Sequence, residues 1–326
     1  MKKFSMYLLM ILMCFNCILL FGCDKEDPKC TCCELHSNEC NCEKNNGESS
    51  NIESPAIPEE FKLCNTVIVS QDGCGDYSSV VEAVKNTEEK TVIYIMPGVY
   101  EGTIEAFTKE IILIGVNKDR CILKSNDGRY TKPVINMSCG YIANLTLYSE
   151  YVEGVSNNIG GAAGAYAIHC ENEYGVGKSL NIYNCNLKSD FFPAIGAGLR
   201  KDFTLTIENS TLENAQVVGR GNYSTSTAEN EGSLGAVYIH DSIGAEGTSY
   251  FSMKNCVLKS SLGNTFTPYS HKPNSNNKVY CELVNNVLYD KINGKTNNVW
   301  YRGNSFNNNF FLEPTSFGNS NPELNS

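Results

Sequence analysis

The chain has 326 residues, 41% of them hydrophobic, which is ample for a substantial core. Against 36 Asp and Glu there are 26 Lys and Arg, so the formal net charge is −10. This balance argues against nucleic acid as a partner, because phosphates need Lys and Arg, and it disfavours a bare polyanion unless a basic patch or a cation intervenes.

Lys2 and Lys3 precede an apolar run from about Met6 to Phe21, which ends Leu20-Phe21-Gly22-Cys23. A basic start, an apolar stretch and a small residue before a Cys mark residues 1–22 as a secretory signal peptide. The ending resembles the bacterial lipobox, which makes Cys23 the lipidation site and the new N-terminus. An uncleaved membrane anchor is the second reading, although the run is short for spanning a bilayer. Both readings place the protein outside the cytoplasm, attached to a bacterial cell membrane. Removing the two lysines leaves the mature chain at −12.

Residues 23–62 are rich in Cys, Asn, Glu, Ser and Pro and offer few apolar groups to offset the cost of order, so they read as a flexible stalk. Of the 16 cysteines, Cys30, Cys32, Cys33, Cys40 and Cys42 cluster here with His36. Their spacing matches no zinc pattern, and disulfides within an exported tether are the expected chemistry, with connectivity left open.

The folded domain is expected over 63–326. Val67-Ile68-Val69 reads as a strand and Asp72-Gly73-Cys74-Gly75-Asp76 as a turn. Ser79 with Glu82 forms a capping box for a short amphipathic helix carrying Val80, Val81 and Val84 to about Asn86. Such a helix would cover the open strand edges at the end of a sheet. Val92–Met96 is a strand closed by Pro97-Gly98, and coils are expected to begin after Ile111–Ile114 and to run to about Phe311.

The coils are announced by a phrase of the form apolar-x-Asn-x-x-Leu-x-(Ser/Asn/Asp). It occurs at Ile142-Asn144-Leu147-Ser149, Ile182-Asn184-Leu187-Ser189, Ile207-Asn209-Leu212-Asn214, Met253-Asn255-Leu258-Ser260 and Leu283-Asn285-Leu288-Asp290. A frayed sixth copy runs Tyr301-Gly303-Phe306-Asn308. Short strands recurring at uneven periods of about 20 to 45 residues predict an all-β solenoid, a single-stranded right-handed parallel β-helix. The apolar residue and the Asn are two apart, so both are expected to face inward, the Asn amides bonding between rungs. Cys121, Cys139, Cys170, Cys185, Cys256 and Cys281 fall on rungs and read as small buried side chains. Long Gly-, Asn- and Ser-rich insertions, 150–164 and 219–235, are placed to build a binding face. The segment 319–326 is polar and expected to be loose.

The stretch Val67 to Val84 (VIVSQDGCGDYSSVVEAV), then Val92 to Glu101 (VIYIMPGVYE), with Ile112-Leu-Ile-Gly115 and Cys121-Ile-Leu123, resembles the opening of pectin methylesterases, right-handed parallel β-helices of the pectin-lyase-like group. The likeness covers roughly the first quarter of the folded domain and implies that fold. It also implies a machinery of two Asp, a pair of Gln and an Arg on neighbouring coils, one Asp as nucleophile, the other as acid/base, and Gln amides holding an oxyanion. The position of the first Asp falls near Asp190, which follows Ile182-Tyr-Asn-Cys185 out of register and with no preceding Gln. The next coil, Leu205–Ser210, has no Asp where the second would fall. Gln71 and Gln216 are the only glutamines and Trp300 the only tryptophan.

Counting from the repeated Asn locates a second set of residues. His169 lies fifteen residues before Asn184, His240 fifteen before Asn255 and His271 fourteen before Asn285. At the same offset the intervening coil carries Ile195-Gly-Ala-Gly-Leu-Arg200. His169, His240 and His271 are therefore expected in one column beside a hollow lined by Gly196 and Gly198, with Arg200 alongside and Asp190, Asp241 and Arg220 within reach of the loops. Tyr166 precedes His169 as a flat apolar surface for a sugar ring. The column would supply acid/base groups and sugar contacts, with Asp190, His169, His240 and Arg200 as catalytic candidates and His271, Tyr166, Arg220 and Asp241 as substrate contacts. The plainer alternative is a half-exposed ladder that packs and hydrogen-bonds. No metal is expected, since no carboxylate motif of fixed spacing accompanies the His, and no cofactor is implied.

The expected function is a monomeric cell-surface lipoprotein that binds a polysaccharide along one face and cleaves or de-esterifies it. A non-catalytic adhesin or scaffold, and a divergent pectinesterase with a rearranged carboxylate site, are the alternatives.

Overall fold

The computed structural model describes residues 58–125, 132–150, 166–171, 177–190, 192–199, 201–215, 235–241, 247–260, 265–270, 277–290 and 310–312. Residues 1–22, expected to be a signal peptide, Cys23, the cluster Cys30 to Cys42 and the frayed sixth phrase lie outside the described residues.

Strands of successive coils pair in parallel to form three sheets of nine, seven and six strands, the arrangement of a right-handed parallel β-helix. The first sheet runs from Thr66–Val69 and Val92–Ile95 through Ile111–Gly115, Gly140–Ala143, Ser179–Tyr183, Thr204–Glu208, Gly247–Lys254 and Asn277–Val284 to Phe310–Leu312. The second contains Gly98–Glu101, Cys121–Ser125, Thr146–Ser149, Asn186–Ser189, Thr211–Asn214, Val257–Ser260 and Val287–Asp290. The third contains Ile104–Ala106, Ile135–Met137, Ile168–Glu171, Ile195–Leu199, Val237–Asp241 and Phe266–Ser270.

Like residues stack inward. Leu123, Leu147, Leu187, Leu212 and Leu258 form one column from the second sheet, while Ile135, Ile168, Ile195 and Val237 form another from the third. All are at most 1% exposed, and each is worth about 1.5–3 kcal/mol of apolar burial.

The coils begin earlier than the sequence expectation. Thr66–Val69 and Val92–Ile95 are already rungs of the first sheet, and Gly98–Glu101 opens the second. The helix Val80–Asn86 is the crossover between the first two rungs, its Ser79 hydroxyl accepting the Glu82 N–H as an N-cap should. Val80, Ala83 and Val84 bury its inner face against the strands Thr66–Val69, Val92–Ile95 and Ile104–Ala106. Phe61 packs on Tyr141 at 5.4 Å, so the described chain is already engaged with the first sheet before Leu63.

The repeated Asn is the corner between the first and second sheets. Asn144, Asn184, Asn209, Asn255 and Asn285 all have positive φ, between 49° and 54°, where Asn is among the few L-residues tolerated. This corrects the expectation of inward side chains. Asn144 and Asn184 are half-buried, and Asn209, Asn255 and Asn285 are exposed, because the corner breaks the strict alternation of a strand. One inter-rung amide bond remains, from Asn184 Nδ2 to Asn144 Oδ1 at 2.7 Å. The residue after each Asn turns inward and can close the neighbouring corner: Ser210 Oγ accepts from Cys185 N at 3.0 Å, and Asn286 Oδ1 from Cys256 N at 2.9 Å. Cys185 and Cys256 are buried free thiols, and burial pushes each up to about 12, which leaves them unreactive.

Candidate active site

Alternate residues of the third sheet point away from the core, so strand pairing sorts them into outer columns. One column reads Glu105, Asn136, His169, Gly196 and Tyr238, while the next reads Glu171, Gly198 and His240. His169 and His240 thus share the face but not the column. They lie two positions and two rungs apart, with the Gly196–Gly198 strand between them. The reason is turn length: both precede their corner Asn by fifteen residues, but the connection back to the first sheet is two residues longer after Tyr238 than after His169.

The glycines make the site. A Cβ on Gly198 would stand 2.1 Å from Glu171 Oε2, and one on Gly196 would stand 2.7 Å from the Tyr166 ring. Their absence lets the Glu171 carboxylate lie across the intervening strand. There Glu171 Oε1 is 2.9 Å from His240 Nε2 and 4.0 Å from His169 Nε2. The three side chains are 11–14% exposed, so the carboxylate and both imidazoles sit largely out of water, where their interactions are strengthened.

The His169 ring is held on every side. Tyr166 stacks on it at 5.6 Å and 15°, Phe107 meets it edge-on at 6.1 Å, and Phe192 supports Tyr166 at 5.5 Å. Its Nδ1 is 2.7 Å from Asn136 Oδ1, while Asn136 Nδ2 donates to Glu105 Oε2 at 2.9 Å. Lys132 pairs with Glu105 at 3.2 Å. Burial is the main influence on the His169 pKa and lowers it, with Glu171 and Glu105 acting in the opposite direction. The His240 ring rests on Tyr238 at 5.4 Å.

The other expected residues fall elsewhere or outside view. Tyr166 is 4% exposed and spends its ring face on His169. Asp190 continues the second sheet, its N–H donating to Ser149 O at 3.0 Å. Its carboxylate accepts the Tyr148 hydroxyl at 2.7 Å and faces Lys188 at 3.8 Å, and Lys188 also lies 4.8 Å over the Tyr148 ring. Burial and this hydrogen bond hold the Tyr148 phenol well above its ordinary pKa. Asp241 ends the strand Val237–Asp241, opposite Leu199 and Ser270. Arg200, Arg220 and His271 lie outside the described residues.

Glu171 was missed in the sequence, although a signal for it exists. It stands two residues after His169, on the same face of one strand, and the Gly196-x-Gly198 pattern of the next strand opens space at both positions. Among the described residues no group of three or more His, Cys, Asp or Glu is arranged to hold a metal ion. Chemically, a carboxylate beside two imidazoles can accept, store and return a proton.

No family model matches the chain. A pectinesterase/pectinesterase inhibitor of Arabidopsis thaliana is 36% identical over 72 residues, a match that takes in 20% of this chain and only 13% of that protein. Among solved structures, the pectin methylesterase of Erwinia chrysanthemi is 14% identical, with a TM-score of 0.43, over 79% of this chain and 91% of that one. A pectin methylesterase in complex with a hexasaccharide is 13% identical, with a TM-score of 0.42, over 79% and 93% of the two chains.

Proposed function

We propose that the protein binds a polysaccharide along the outer face of the third sheet and cleaves or de-esterifies it by acid/base chemistry at Glu171, His169 and His240. The observation that carries this reading is the Glu171 carboxylate, laid over Gly198 with His240 at 2.9 Å and His169 at 4.0 Å. Buried titratable groups of opposite charge type gathered over glycines are what proton transfer requires, and they are costly to keep for packing alone. The expected pair of Asp does not stand on the described part of this face. Asp190 is engaged by Tyr148 and Lys188 on the second sheet, which supports a His–Glu–His site over a pectinesterase dyad. The oligosaccharide-bound pectin methylesterase of similar fold supports a glycan as ligand. In this reading, water is the nucleophile and the cluster moves its proton, a contribution of about 10²- to 10⁴-fold in rate.

The same reading places the protein on a bacterial cell surface, as a monomer attached through a lipid on Cys23, the basic and apolar N-terminal run being its support. Incubation with pectins and with bacterial wall and capsular glycans tests the activity, with methanol, acetate, new reducing ends and unsaturated sugars as readouts. Saturable binding with one of these products is expected. Binding without any product would return the protein to the class of adhesins, and neither binding nor product would end the glycan reading.

A further inference from the structure

Two imidazoles address one oxygen of Glu171, and the hydrogen bonds behind them are different. Glu105, as a carboxylate, can only accept, so the Asn136 group 2.9 Å away must be its NH₂. The amide is rigid, so its carbonyl oxygen is the atom 2.7 Å from His169 Nδ1. A carbonyl cannot donate, and His169 Nδ1 must therefore carry the proton. Lys132, 3.2 Å from Glu105, holds that carboxylate in place, which makes the chain directional from Lys132 to the ring. In a neutral His169 the remaining nitrogen, Nε2, is then a bare lone pair. Its 4.0 Å separation from Glu171 Oε1 exceeds hydrogen-bond distance, as expected between a lone pair and a carboxylate. His240 is the opposite case, since its Nε2 lies 2.9 Å from the same oxygen, a distance at which a bare lone pair would be repelled and an Nε2–H is required.

We infer that Lys132, Glu105 and Asn136 are positioning residues that lock His169 as the Nδ1–H tautomer. His169 and His240 thus face Glu171 in opposite tautomers, and His169 is the base of the site. The inference rests on the acid/base reading for its functional half only. His169 Nε2 takes a proton from the incoming water, and the imidazolium so formed gains Glu171 Oε1 as a charge-assisted partner. The same proton is then available to the leaving oxygen, while His240 keeps Glu171 oriented throughout. Burial of the ring favours its neutral form at rest, as a base requires.

Long-range ¹H–¹⁵N correlation of the full-length protein at pH 8, with ¹⁵N-labelled histidine, reads the tautomers directly. Loss of signals in His169→Gln and His240→Gln assigns them. His169 is expected with its proton on Nδ1 and His240 with its proton on Nε2. In Glu105→Gln the new side-chain amide can donate as well as accept, so the Asn136 amide is free to turn and His169 should populate both tautomers. Lys132→Met should move it the same way by less, and it supplies the answer if Glu105→Gln misfolds. A His169 proton on Nε2 in the unaltered protein, or a tautomer indifferent to both substitutions, overturns the inference. On any glycan that is turned over, Glu105→Gln should lower kcat about tenfold at unchanged KM, with Glu105→Asp restoring part of it. A complete lack of turnover would remove the acid/base reading while leaving the tautomer result intact, so the two failures are distinguishable.

Discussion

The corner between the first and second sheets and the connection from the third sheet back to the first carry opposite design rules. From the strand Gly140–Ala143 onward, five successive coils do the same thing at the corner: one Asn at φ 49–54°, then the residue that closes the corner, then the next strand. The return connection varies. From His169 to Leu180 is 11 residues, from Gly196 to Leu205 is 9 and from Tyr238 to Phe251 is 13, although each set is in register across the rungs. The difference teaches where a repeat can serve as a ruler. A left-handed backbone residue is a fixed point because few residue types tolerate it, whereas a loop lengthens at little entropic cost. The proposed site lies on the variable side, since the His–Glu–His cluster stands on the sheet whose connections differ from coil to coil.

The largest effect should come from breaking the fixed side. One Gly inserted between Asn209 and Ser210 removes the Ser210 cap on Cys185 N and turns the strand Thr211–Asn214 over, aiming Leu212 outward. Urea unfolding should show a loss of at least about 3 kcal/mol. The same Gly inserted after Glu171 should cost under about 1 kcal/mol.

Next in size is Gly198→Ala, whose methyl group would occupy the place of Glu171 Oε2, 2.1 Å away. Because that neighbour is the end of a flexible side chain, the melting temperature should hold. Turnover, once a substrate is in hand, should fall by about 100-fold as the carboxylate leaves its two imidazoles.

Within the corners, Asn184→Ala should cost about 2 kcal/mol, since it loses both a tolerant left-handed residue and the amide bond to Asn144. Asn209→Ala, at an exposed corner with the same φ, should cost about 1 kcal/mol, and Asn209→Gly close to nothing. Equal losses at the two Ala sites would remove the role given to the amide bond.

The smallest effect is one of pH. His169 has a folded-state pKa below its ordinary value of 6.5, so between the two values the unfolded chain binds more protons than the folded one. Stability should therefore decline as pH drops below about 6.5, and this contribution should level off below the folded pKa. The slope attributable to His169 should vanish in His169→Gln, measured by thermal melts at matched ionic strength.

Much of the fold was legible because its signals are local. Ser79 and Glu82 mark the helix start, and the Leu and the Ser or Asn two apart in the four phrases from Leu147 to Ser260 mark an inward-facing strand. The Asn phrase located the five corners from Asn144 to Asn285, but a two-residue spacing could not show that the Asn leaves the strand geometry altogether. The site was half legible. His169, His240, Gly196 and Gly198 were drawn to one face, yet Glu171 was not among them, because its role depends on which residue of the next strand lies opposite. That pairing is set by connections whose lengths carry no local rule. Asp190 drew attention through a family pattern, and its actual neighbours, Tyr148 and Lys188, come from second-sheet pairing that the pattern does not encode.

The central claim is that proton transfer resides on the third sheet at Glu171. Its most direct test compares Glu171→Gln with the unaltered protein in binding and turnover on the same glycan. The expected result is a fall in kcat of about 10³-fold with binding retained, because the substitution removes the charge and keeps the shape. Unchanged turnover in Glu171→Gln, with the loss appearing instead in Asp190→Asn, would contradict the account and move the chemistry to the second sheet.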